Sequence, residues 1–240
     1  MSSSNNRGFS LAELLIVLIV LMLVMAAIFQ VIIMASARSA SEQAKLDMFQ
    51  EAREFMDQMS RDLRQAGYPS TRNFSAGVLT TPSANDSRVA AGLIKVDAGE
   101  LWFEGDVDGT GTVSVVHYWL DPSTTNNCPC LKRSQLPKIT ADPITGQTTP
   151  AYQTEVQNVQ NTSIFSAFLK FQTGTPLALP IAYDTDATTM AGVDTIQAVL
   201  TVQSNQMDAQ TRQKPVTTLA VTVKLNNCSL ATNGEAMSCN

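Results

Sequence analysis

The chain has 240 residues, 44% of them hydrophobic and 15% charged, enough apolar content for one sizeable core or two small ones and too much for disorder throughout. Its 16 Lys and Arg stand against 21 Asp and Glu, with an isoelectric point near 4.9, which removes the electrostatic footprint of a dedicated nucleic-acid binder. One histidine, His117, excludes chemistry that needs two, including the two-histidine zinc helix.

Glycine and proline draw the domain map. From Phe9 to Ala66, 58 residues, there is neither, whereas all ten prolines and eleven of twelve glycines lie from Gly67 onward. Because these residues are the strongest helix breakers, the stretch predicts one continuous helix of about 87 Å at roughly 1.5 Å per residue.

The two halves of that helix differ. Leu14 to Ala35 is apolar on every side apart from Gln30, a length that spans a bilayer, with a wholly buried core helix as the alternative. Arg38 to Ala66 is amphipathic. Ala44, Met48, Phe49, Ala52, Phe55, Met56, Met59, Leu63 and Ala66 recur at steps of three and four, and the opposite face carries five basic and six acidic residues. The end is specified by Gly67 at C′, by Tyr68 placed to pack on Leu63, and by Pro69, so the helix stops at Ala66.

Beyond it the pattern turns to strands at Leu93–Val96, Glu100–Glu104, Val113–Leu120, Phe165–Phe171, Thr195–Gln203 and Leu219–Leu225, most flanked by turn-forming residues. The last two alternate cleanly, as antiparallel strands with one face on a core do, and the amphipathic half-helix is the cover for that face. The Ser-, Thr-, Asn- and Gln-rich stretches at 121–163, 173–192 and 204–218 read as long surface loops. The architecture expected is α+β, a long N-terminal α-helix packed on one antiparallel β-sheet.

The first residues are unlike an ordinary signal peptide. The apolar run far exceeds the usual ~7–15 residues, and an ionisable residue, Glu13, stands just inside it. Arg7-Gly8-Phe9-Ser10-Leu11-Ala12-Glu13-Leu14-Leu15 resembles the class III signal of type IV prepilins and the related pseudopilins. The resemblance implies cleavage by a prepilin peptidase between Gly8 and Phe9 and N-methylation of the new Phe9 amine. It divides the chain into a leader (1–8), a transmembrane and assembly half (9–37), an amphipathic half (38–66) and a periplasmic or extracellular head (67–240). Cleavage creates an ammonium at Phe9, and Glu13 lies four residues on, so one subunit can present its carboxylate to the amine of a neighbour and offset the cost of burying either charge. An alternative cut after Ala35-Ser36-Ala37 would release a soluble protein beginning at Arg38.

Arg61-Asp62-Leu63-Arg64-Gln65-Ala66-Gly67-Tyr68, ending an amphipathic helix before a long β region, is similar to PilW-like minor pilins, with J-type pseudopilins of type II secretion as close relatives. Looser echoes lie at Tyr118-Trp119-Leu120-Asp121, Leu131-Lys132-Arg133 and Val223-Lys224-Leu225-Asn226-Asn227. Major pilins usually carry a mid-helix proline that this helix lacks, and the head is longer than in a fibre-building subunit, which favours a minor subunit. The resemblance therefore implies a non-enzymatic minor pilin of a type IV pilus that takes part in assembly or initiation, with adhesion or uptake as a further role. Its partners would be other major and minor pilins, the prepilin peptidase and the inner membrane. It would sit in the bacterial inner membrane with a periplasmic head, then in the pilus at the cell surface. A type II secretion minor pseudopilin is the alternative within the class. An exported or membrane-anchored β-rich binding module is the alternative outside it.

Asp106-Val107-Asp108-Gly109-Thr110-Gly111 mimics the start of an EF-hand loop, making Asp106, Asp108 and Thr110 a calcium candidate. His117 stands where the closing bidentate Glu belongs, and an Asp- and Gly-rich turn between strands explains the same residues without a metal. Cys128, Cys130, Cys228 and Cys239 suit an oxidising compartment and allow three pairings. Cys228 with Cys239 would be a C-terminal staple of the kind pilin heads use, crossed pairing with the Cys128-Pro129-Cys130 pair stays open, and the spacings do not match zinc knuckles. No nucleophile elbow, P-loop or dinucleotide fingerprint appears, and His117, on a strand where a structural histidine is the common case, is assigned no role.

Overall fold

The computed structural model describes residues 10–75, 77–79, 83–125, 128–141, 143–144, 149–169, 174–208 and 211–226. Helix α1 runs Leu11–Gln65, 55 residues without interruption, one residue short of the expected end. Gly67 takes the left-handed conformation at φ 80°. Its N–H does not turn back into the helix but donates to Glu104 O at 2.8 Å, so the helix end is tied to the sheet.

The head holds two antiparallel sheets where the sequence pattern suggested one. The larger is built from β1 (Leu93–Asp97), β2 (Glu100–Gly105), β3 (Ser114–Asp121), β4 (Cys130–Pro137), β5 (Gln153–Val156) and β7 (Ile181–Ala182), in the order β5-β4-β3-β2-β1-β7. The smaller is β6 (Phe165–Leu169), β8 (Val193–Gln203) and β9 (Val216–Lys224), in the order β6-β8-β9. A short helix α2, Ala187–Gly192, precedes β8. Strands β4, β5 and β7 and helix α2 therefore lie inside stretches read as loops.

One core joins these parts. Ala52, Phe55, Met56, Met59 and Leu63 of α1 pack with Leu101, Phe103, Val116, Tyr118 and Leu131 of the large sheet and with Phe165, Ile196, Ala198, Leu200 and Val202 of the small one. Each large apolar side chain buried this way contributes about 1.5–3 kcal/mol. The expected helix face is thus the buried one, although Phe49 remains 38% exposed. A second, smaller cluster, Ala84, Val89, Ala91, Ile94 and Tyr183, forms separately from that core.

Gly105 sets how closely helix and sheet approach. A Cβ there would stand 2.4 Å from Gln65 O, and an isolated bridge pairs Ala66 with Gly105 at the same place. Only a residue without a side chain lets the last turn of α1 settle on β2.

Candidate functional site

The processing residues Gly8 and Phe9 lie outside the described residues. The described chain begins at Ser10, which caps α1: its Oγ accepts from Ala12 N–H at 3.3 Å, while Glu13 Oε2 accepts from Ser10 N–H at 3.2 Å. Ser10-Leu11-Ala12-Glu13 is a capping box, a role for Glu13 that the spacing Ser-x-x-Glu announces and that the sequence reading passed over. Glu13 thus answers one of the orphan N–H groups of its own helix.

Above this cap the helix stands clear of the head. Leu14, Leu15, Ile19, Met22, Val31 and Ile33 are all at least half exposed, and none of the most apolar window of α1 is buried. Such a surface exceeds what a soluble protein leaves in water, and its length suits a bilayer or a bundle of like helices.

The other half of α1 is locked to the head by a buried charge network. Tyr118 Oη donates to Asp62 Oδ2 at 2.7 Å, and Arg133 reaches the same oxygen through Nε at 3.0 Å and Nη2 at 2.8 Å. Burial pushes the Tyr118 phenol well above its ordinary range, and the Asp62 charge adds to the effect. Asp62, placed by sequence on the solvent face, is 6% exposed. A second buried pair, Lys138 with Glu104, is closed to solvent on both sides at 2.6 Å, and Lys138 Nζ also donates to Ala84 O and Val89 O.

His117 is part of a chain across the strands: Tyr152 Oη lies 2.8 Å from Nδ1, Nε2 lies 2.6 Å from Glu100 Oε1, and Lys95 pairs with Glu100. Trp102 stacks on the imidazole at 5.0 Å, and Trp119 packs beside Tyr152. The hydrogen bond from His117, followed by that from Lys95, lowers the Glu100 carboxyl to about 2. His117 is therefore engaged away from the Asp106–Gly111 loop and does not close an EF-hand there. That loop joins β2 to β3 beside a cavity of about 510 Å³ bordered by Asp108, Thr110, Arg133, Gln135 and Glu155 among others. Among the described residues no group of three or more His, Cys, Asp or Glu is placed to hold a metal.

Cys128 and Cys130 are bridged to each other, with Cα atoms 4.3 Å apart. Cys228 and Cys239 lie outside the described residues.

Comparison with known families matches residues 3–29 to the family described as "Prokaryotic N-terminal methylation motif". No curated protein and no solved structure matches the chain. The motif fronts the exposed apolar half-helix and covers Ser10 and Glu13. Together they support a prepilin-like protein: one processed by prepilin peptidase, anchored in the membrane by α1 and assembled with other pilins.

Proposed function

We propose that the chain is a non-enzymatic minor pilin of a type IV pilus, cut between Gly8 and Phe9, N-methylated at Phe9 and active in filament assembly or initiation, with its head periplasmic before assembly. The observation that carries this is the methylation motif set on an unbroken apolar half-helix that the head leaves wholly uncovered. The absence of a mid-helix proline and the long head, residues 67–240, favour a low-copy subunit over a fibre builder. Contact with other pilins runs through the apolar half-helix, with Glu13 meeting the Phe9 amine of a neighbour once both are desolvated.

The test is the mature N-terminus from native membranes, by intact mass and terminal peptide sequencing, with and without the prepilin peptidase. N-methylated Phe9 that depends on the peptidase is expected; a terminus at Arg38, or an unprocessed Met1, would overturn the proposal. Glu13→Ala is expected to be processed normally yet to be lost from sheared filaments. Deleting the gene should remove surface pili and leave secretion intact; the reverse result would make this a type II secretion pseudopilin.

A further inference from the structure

One carboxylate oxygen of Asp106 meets no donor in the protein. Its side chain opens the loop between β2 and β3 and is 7% exposed. Oδ2 accepts from Gly111 N–H at 3.0 Å, but Oδ1 is shut off from solvent and has no hydrogen-bond partner. The Asp108 carboxyl group adjoins it, held below its ordinary range chiefly by the Thr110 hydroxyl and N–H. No described lysine or arginine forms an ion pair with either carboxylate, since Arg133, the nearby cation, is committed to Asp62 and Gln135. A buried carboxylate oxygen without a donor, set beside a second carboxylate, is unfavourable until a cation joins it.

We propose that the Asp106–Gly111 loop is a calcium site, with Asp106 Oδ1, the Asp108 carboxylate and the Thr110 hydroxyl as its protein ligands and water from the adjoining cavity filling the shell. Calcium suits this set because it takes six to eight oxygens in irregular geometry, whereas magnesium demands a near-ideal octahedron. The site is not an EF-hand: His117 is held by Glu100 and Tyr152, and the closing acid is missing. Two carboxylates and a hydroxyl place the affinity in the weak class, a dissociation constant of about 10⁻⁴–10⁻³ M. The cation would act on the junction between helix and sheet, because Asp106 N–H donates to Tyr68 O at 2.8 Å, just past the end of α1.

The test is thermal unfolding and calorimetric titration of the full chain in detergent, with calcium or magnesium up to about 10 mM. Calcium is expected to raise the melting temperature by about 3–6 °C at tenfold excess over its dissociation constant, and magnesium by less. Asp108→Asn, an exposed change, should keep the calcium-free melting temperature and abolish the response. Asp106→Asn should melt no lower than the parent without calcium and likewise fail to respond. A melting temperature unmoved by calcium, a response that survives in Asp108→Asn, or equal responses to the two cations would each overturn the assignment.

Discussion

Asp62 and Glu100 show how single carboxylates fix this head. Asp62 holds both Tyr118 and Arg133, so Asp62→Ala strands a buried phenol and takes from the half-buried Arg133 its ion-pair partner, and should cost about 3–5 kcal/mol in denaturant unfolding. Tyr118→Phe removes one charge-assisted hydrogen bond and should cost about 1.5–3 kcal/mol. Glu100 gives a pH signature. Its folded pKa lies below the ordinary carboxylate value, so its stabilisation is complete above about pH 4.5 and is lost as the pH falls from there through about 2. Glu100→Gln should lower stability at neutral pH and flatten the stability profile across that window; a parental profile in the variant would refute the link. Of these groups, the sequence identified the helix face but not Asp62, because its partners lie 56 and 71 residues away and no local pattern announces them. Glu13 and Asp106 were legible from short motifs, whereas the orphaned oxygen that gives Asp106 its meaning is a tertiary fact.

At the scale of elements, the junction of α1 with β2 is the sharpest constraint. Gly105→Ala would drive a methyl into Gln65 O and should cost about 1–3 kcal/mol as the helix end lifts from the strand. Alternation revealed β1, β2, β3, β6, β8 and β9 to within a few residues, and the run free of glycine and proline revealed α1. Strand β4 stayed hidden because Cys130–Pro137 carries Lys132 and Arg133, whose charges become tolerable only opposite Asp121 and Asp62. Short β5 and β7, with four and two residues, gave no period to read. The division into two sheets escaped notice for a related reason: strand order depends on pairings such as β1 with β7, across more than eighty residues.

The molecule as a whole separates an apolar anchor from a self-sufficient head. Because the buried core draws on α1 from Ala52 onward, with Met48 packed against it, a chain of residues 38–240 should be soluble and melt cooperatively by circular dichroism. A chain beginning at Gly67 should not fold, having lost Phe55, Met56, Met59 and Leu63. The uninterrupted α1 has one more consequence. A straight helix is a screw, so the compass bearing of the head about the membrane normal is geared to residue count between anchor and core. One residue inserted beside Arg38 would swing the head by about 100° and lift it about 1.5 Å, whereas seven would return it to within about 20°. Filament incorporation should therefore collapse with the first insertion and recover with the longer one.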